Sequence, residues 1–231
     1  MAIAIIPARG GSKRIPRKNI RPFCGQPMLA YAILAVQKSG CFSKVVVSTD
    51  DEEIAKVAHQ LGADVPFLRP ANLADDHTGT TPVVIDTIQR LDQLGIQAKH
   101  YCCIYATVPL IQADDLKAAH QRLIASNAPF VYTVAEFGFP IQRAVRMDEQ
   151  GRVTPFWQEQ MAKRSQDLEP AYQDAGQFYW GTRAAWLGGI SPVDGEGIGH
   201  ILPRHRVVDI DTPEDWHLAE LLYQALGQNG V

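Results

Sequence analysis

The chain has 231 residues, of which 46% are hydrophobic and 20% charged, and a formal net charge of −3. That length allows one sizeable α/β domain with a small appendage, and a chain of this size buries about 70% of its unfolded surface, so it needs no disulfide or metal to fold. The slight negative charge argues against a nucleic-acid-binding protein, and no apolar run reaches the roughly 18 residues of a membrane helix.

The first apolar run, Ile3 to Ile6, predicts a strand buried on both faces at the centre of a parallel sheet. It is too short for a signal peptide and is followed by a basic stretch, so none is expected. Between Arg9 and Arg21 stand six cations (Arg9, Lys13, Arg14, Arg17, Lys18 and Arg21), the glycines Gly10 and Gly11, and no acid. Without these six the rest of the chain carries −9, so the positive field is local and suits a small polyanion. The glycines permit positive φ and close approach to a ligand, and N–H groups of such a turn converge on anions. Arg9, Lys13 and Lys18 add charge-assisted bonds worth roughly 1.5–3 kcal/mol each. The bland alternative is a solvated basic loop. Neither a Walker A loop nor Gly-x-Gly-x-x-Gly occurs, which argues against P-loop ATPases and simple dinucleotide binders.

Pro27 to Lys38 has helical periodicity and Gly40 ends it. Lys44 to Thr49 reads as a second buried strand, and Asp51, Glu52 and Glu53 as acids at the start of a helix running to Leu61. Asp50, at the strand tip, is a weaker candidate for touching a ligand. Asp64 to Leu68 predicts a short third strand. Arg69 to Thr81 is a polar loop ending in a helix N-cap at Thr80 or Thr81. Helices are expected over Pro82–Leu94 and Asp114–Ser126, and strands over Tyr101–Ala106 and Phe130–Ala135. The rhythm then breaks. A hairpin is expected over Phe139–Met147 and Arg152–Phe156. Residues 138–172 form a candidate appendage too small for a core of its own. Asp174 to Gly181 returns to strand character, Arg183 to Leu187 is a short helix, and Ser191 to Gly199 reads as glycine-rich surface. Cys24, Cys41, Cys102 and Cys103 have no zinc spacing and read as buried free thiols of a reducing cytoplasm.

Arg206 to Asp211 reads as a strand tip whose alternation sets Asp209 and Asp211 on one face. Two such acids repel unless a cation lies between them, and hard oxygen donors beside a triphosphate suit Mg²⁺. Thr212-Pro213-Glu214-Asp215 resembles a capping box, so the last two acids are explained by a helix start and the first two are not.

The opening Ile-Pro-Ala-Arg-Gly-Gly-Ser-Lys-x-Ile-Pro-x-Lys-Asn resembles the signature of the cytidylyltransferases that activate nonulosonic acids, the sialic acid relatives. Arg14, where the sialic acid synthetases usually carry Gly, and the Asp174 to Gly181 run are more similar to the pseudaminic acid branch. The resemblance implies an α/β, mostly parallel, three-layer nucleotidyltransferase fold over residues 1–231. It also implies that a comparable 138–172 insertion reaches over a second subunit's active site in a homodimer. It implies a CTP site from Ala8, Arg9, Gly10, Gly11, Ser12, Lys13, Lys18, Asn19, Arg69 and Thr80, and a sugar site from Tyr105, Thr107, Arg164, Gln177 and Tyr179. Magnesium, with Mn²⁺ as substitute, would lie on Asp209 and Asp211; Arg9, Lys18 and Asp211 would be catalytic. Tyr105 and Val108 replace the Gln and Ser usual in that family, leaving fewer polar contacts for a sugar. The implied reaction transfers CMP from CTP to the anomeric hydroxyl of a nonulosonic acid, in a cytoplasmic enzyme that binds neither nucleic acid nor membrane. Pseudaminic acid is expected ahead of N-acetylneuraminic or legionaminic acid. A metal-dependent glycosyltransferase and a non-catalytic nucleotide sensor are the rivals, separated by release of pyrophosphate and by turnover.

Overall fold

The structure, a computed structural model, describes residues 2–75 and 77–228. In order come β1 (Ala2–Pro7), a ribbon of β2 (Pro22–Phe23) and β3 (Gln26–Pro27), α1 (Met28–Ser39), β4 (Phe42–Ser48), α2 (Glu52–Gln60), α3 (Thr80–Gln93), β5 (His100–Ile104), α4 (Ala113–Ser126) and β6 (Phe130–Glu136). They are followed by β7 (Val145–Met147), β8 (Val153–Pro155), β9 (Tyr172–Thr182), α5 (Arg183–Leu187), β10 (Ile198–Ile201) and α6 (Pro213–Gln228). Six strands form one sheet in the order β10-β6-β9-β5-β1-β4. Its neighbours are parallel except β9, which runs antiparallel to both β5 and β6.

The strand expected at the sheet's centre, β1, lies instead beside the edge strand β4, but it is buried on both faces as expected, and it explains the layers. Ala4 and Ile6 face one way, onto Leu29 and Ile33 of α1 and Leu116 of α4. Ile3 and Ile5 face the other way, onto Val84, Ile88 and Leu91 of α3 and Trp186 of α5. Burial on both faces is why the run is apolar without alternation. A third cluster, of Ile15, Phe23, Met28, Ile210, Trp216 and Ala219, packs the loop after β1 against the chain entering α6. That cluster, far from the sheet's middle, positions the site.

Local signals fix the element ends. α1 stops at Gly40, whose φ of +66° suits glycine. The Asp51 carboxylate accepts the Ile54 N–H and caps α2. The expected cap at Thr80 or Thr81 is replaced by Gly79 with no side-chain bond, and Thr80 becomes the first helical residue. α6 has the expected reciprocal box: Thr212 N–H donates to Asp215 Oδ2 at 2.7 Å and Asp215 N–H to Thr212 Oγ1 at 3.3 Å.

Five expectations change. The strand over 64–68 shrinks to one bridge, Val46 to Asp64, because Pro66 withholds a ladder donor. Within the stretch read as surface begins an unforeseen edge strand, β10, paired to β6. No strand covers 207–211; the backbone there pairs with no other strand, yet Ile210 is buried and Asp209 exposed, so alternation persists without a ladder. All four thiols are free, but only Cys102 and Cys103 are buried. The hairpin forms as β7–β8 inside the 138–172 segment, shorter than expected because a 3₁₀ turn takes Ile141–Arg143. Among the described residues no helix is long and apolar enough to cross a membrane.

Candidate functional site

The chain leaves β1 at Pro7 and folds a loop over the carboxyl ends of the central strands. Three of its N–H groups, among those expected to converge on an anion, are turned to protein acceptors. Ala8 N–H donates to the Ser48 carbonyl at 2.9 Å, Gly10 N–H to Asp50 Oδ1 at 3.0 Å and Ser12 N–H to the Gly10 carbonyl at 3.0 Å. Neither Gly10 nor Gly11 has positive φ; that conformation falls on Arg17 at +56° and Cys24 at +44°. Gly10 is needed for close approach instead, since a Cβ there would stand 2.7 Å from Asp51 Oδ2.

The six cations divide by partner. Arg9 Nη1 donates to the Asp75 carbonyl at 2.8 Å, and Asn19 Nδ2 donates to the Arg9 carbonyl at 2.9 Å, fixing the loop's start against its end. Lys18 Nζ donates to the Ile210 carbonyl at 2.6 Å and sits 3.3 Å from Asp211 Oδ1, while Arg14 pairs with Asp211 Oδ2 at 2.9 Å. Arg17 turns away to Asp51 and Glu53, and Arg21 lies over the Trp216 ring at 4.9 Å.

A cavity of about 520 Å³ gathers much of the expected set: Arg9, Ser12, Lys13, Lys18, Asn19, Arg69, Thr80, Tyr105, Thr107 and Asp211 all line it, with Arg14. Arg69 is 6% exposed and donates through Nε to Ser48 Oγ at 3.1 Å and through Nη2 to the Ser48 carbonyl. Burial lowers its pKa, and among the described residues no carboxylate pairs with it. Such a buried guanidinium is an electrostatic demand for an anion. Thr80 Oγ1 lies 3.2 Å from the Tyr105 hydroxyl, joining the start of α3 to the end of β5. Asp76, the last residue of the Arg-Pro-x-x-Leu-Ala-x-Asp segment, lies outside the described residues.

A second cavity, of about 340 Å³, shares Gly79, Thr80 and Tyr105 with the first and adds Asp174, Tyr179 and Trp186. The Tyr179 hydroxyl donates to Asp174 Oδ2 at 2.6 Å, and burial and the neighbouring Tyr105 push its pKa far up. Sequence reasoning quoted Asp174 without giving it a role; only the fold shows it beside Tyr179. Other expected sugar contacts sit elsewhere. Gln177 is buried, donating through Nε2 to the Arg206 carbonyl at 2.5 Å. Val108, Phe178 and Trp180 are core. Ala8 is core as well. Arg164 is on the exposed 138–172 segment, paired with Asp167 at 2.9 Å, outside both cavities of its own chain.

Asp209 and Asp211 flank buried Ile210, so both project away from the third core cluster. Crowding by protein and the charge of Asp211 raise the Asp209 pKa. Asp211 lines the cavity; Asp209 does not.

A cationic loop and a facing carboxylate at the carboxyl ends of a three-layer α/β sheet define a nucleotide-binding protein of nucleotidyltransferase fold. A solved structure of CMP:2-keto-3-deoxy-manno-octonic acid synthetase complexed with CTP shares that fold, with a TM-score of 0.70, 99% of both chains covered and 17% identity. The chain belongs to the cytidylyltransferase family, whose profile matches residues 3–182. A pseudaminic acid cytidylyltransferase of Campylobacter jejuni subsp. jejuni serotype O:2 is 46% identical over 222 residues, 96% of each chain. A CMP-N,N'-diacetyllegionaminic acid synthase of Legionella pneumophila is 32% identical, again over 96% of each.

Proposed function

We propose that the chain transfers CMP from CTP to the anomeric hydroxyl of pseudaminic acid, releasing pyrophosphate. The observation that supports this most is the cavity that brings Arg9, Lys13, Lys18 and buried Arg69 opposite Asp211. In this reading Arg9 and Lys18 hold the outer phosphates and stabilise departing pyrophosphate, with Lys13 beside them. Charge neutralisation and positioning supply most of the catalysis in such chemistry. Arg69, Thr80 and the loop residues Ser12 and Asn19 hold the nucleotide, while Tyr105, Thr107 and Tyr179 face the sugar.

The acid pair fits a Mg²⁺ ion by its donor chemistry: two hard carboxylates on one side of Ile210, with phosphate oxygens and water left to complete the shell. Asp209 and Asp211 would hold it, and when bound it would neutralise phosphate charge and acidify a coordinated hydroxyl. Lys18 anchors this pair through the Ile210 carbonyl, tying the loop to the acids.

The 138–172 segment supports a homodimer. Phe139, Met147 and Val153 are 86%, 71% and 62% exposed, an apolar set that a monomer rarely leaves in water. Arg164 on the same segment would then approach the partner's sugar site. The test is incubation with CTP, Mg²⁺ and a panel of nonulosonic acids, read by mass. CMP-pseudaminate with pyrophosphate supports the reading, and nucleoside diphosphate release would favour a glycosyltransferase.

A further inference from the structure

Four consecutive acids, Asp50 to Glu53, stand at the foot of the cationic loop, where their charge opposes any polyphosphate. We infer that Arg17 is a positioning residue for the phosphate end of the nucleotide: it neutralises this acidic corner and pins the loop to it without touching the ligand. The inference rests on the reading that the cavity takes CTP.

The geometry is specific. Arg17 Nη1 and Nη2 reach Asp51 Oδ2 and Oδ1 at 2.5 and 3.0 Å, and Nη2 also reaches Glu53 Oε2 at 2.5 Å. Arg17 is absent from the cavity wall. Its backbone sits at φ +56°, which a side chain with a Cβ rarely adopts, so the loop turns in a disfavoured conformation at the residue that makes these pairs.

Asp50 and Asp51 cannot retreat from the loop. Asp51 caps α2 through the Ile54 N–H, and its Oδ2 lies where a Gly10 Cβ would be. Asp50 is occupied by the Gly10 N–H. Gly10 lies between Arg9 and Ser12, both on the cavity wall. Of the remaining acids, Glu52 points its charge into the exposed first turn of α2. Without Arg17, therefore, Asp51 and Glu53 would hold uncompensated negative charge against the loop that is to receive a triphosphate. The Arg17 hydrogen bond keeps the Asp51 carboxyl below the usual carboxylate range, so it is fully charged at neutral pH.

The test measures CTP binding by calorimetry at low salt for the wild type, Arg17→Gly, Arg17→Lys and the double variant Arg17→Gly with Asp51→Asn. Glycine suits the left-handed backbone, and asparagine still caps α2. Arg17→Gly is expected to weaken CTP binding about tenfold, with the deficit shrinking as salt rises. Arg17→Lys should recover part of it, keeping the charge and losing the two-pronged contact. Asp51→Asn should restore most of the binding lost by Arg17→Gly, because it removes the charge left behind. Wild-type affinity in Arg17→Gly, or no recovery in the double variant, overturns the inference; the latter outcome would mean Arg17 matters only for packing. If circular dichroism shows Arg17→Gly unfolded, Glu53→Gln in the otherwise intact chain should tighten CTP binding, and unchanged binding there overturns it equally. A wild-type chain that bound no CTP would instead remove the CTP reading itself.

Discussion

Lys18 and Asp211 are 193 positions apart, yet the Lys18 ammonium lies 3.3 Å from the Asp211 carboxylate and donates to the carbonyl of Ile210 beside it. One side chain thus joins the first loop to the chain entering the last helix. Removing it takes away both a cavity-lining charge and a tether. Lys18→Ala and Arg9→Ala should each lower kcat/KM for CTP by about thirtyfold or more, from roughly two or more kcal/mol of lost charge-assisted contact. Circular dichroism should show the fold unchanged. Wild-type kcat/KM in both variants would defeat the pyrophosphate role.

Activity should need Mg²⁺ or Mn²⁺, and Asp211→Asn should abolish most of it, because Asp211 is the acid that reaches the cavity wall. Excess EDTA gives the simplest check; undiminished turnover in its presence sinks the metal assignment.

Light scattering at assay concentration should report a dimer. A charged residue at Phe139, the most exposed large apolar side chain of the 138–172 segment, should shift the population to monomer and cut activity with it. A fully active wild-type monomer would refute the role given to the arm.

The sugar preference now rests on Tyr105 alone among the departures near Thr107, since Val108 is core. Pseudaminic acid should exceed N-acetylneuraminic acid by roughly tenfold or more in kcat/KM, the effect of about one unsatisfied hydroxyl. Tyr105→Gln should narrow that ratio. Equal kcat/KM for the two acids in the wild type would leave cytidylyl transfer standing and remove the preference.

A stability effect should appear at mildly acid pH. His120 stacks on Trp180 at 4.2 Å and its Nε2 lies 3.0 Å from His100 Nδ1. Burial, and then the nearness of His100, bring its pKa down from 6.5 to about 4. Below pH 6.5 the unfolded chain therefore binds a proton that the folded chain refuses, so stability falls as pH drops from 6.5 toward 4. Tm should decline over that window, and the decline should be smaller in His120→Gln. An identical pH dependence in the variant would contradict this.

The buried strands were legible because burial on both faces writes itself as a continuous apolar run, as in Ile3 to Ile6. The helix starts at Asp51 and Thr212 were legible because capping is local. What the sequence hid depends on distant partners. β10 has only four residues, and Gly199 is there because Val134 Cγ2 would stand 2.9 Å from its Cβ, a fact about another strand. The Asp209–Asp211 stretch kept its alternation without a ladder because Ile210 plugs into a cluster built from residues near the amino terminus. β9 is buried on both faces over most of its length, so nothing in Gln177 to Trp180 marked which side chains reach a cavity, and only Tyr179 does.

The antiparallel course of β9 has a consequence for how this chain tolerates change. Glu136 ends β6 directly opposite Tyr172, where β9 begins, and the Phe137 N–H closes onto the Ala171 carbonyl at 3.0 Å. The whole excursion between them leaves and re-enters the sheet through one doorway. Its length is invisible to the ladder, since closing a longer or shorter loop changes the entropy only logarithmically. The sheet therefore sets where the arm begins and ends but not how long it is: changes in its length leave the register of the strands that build the cavity untouched, whatever they do to the contacts the arm itself makes.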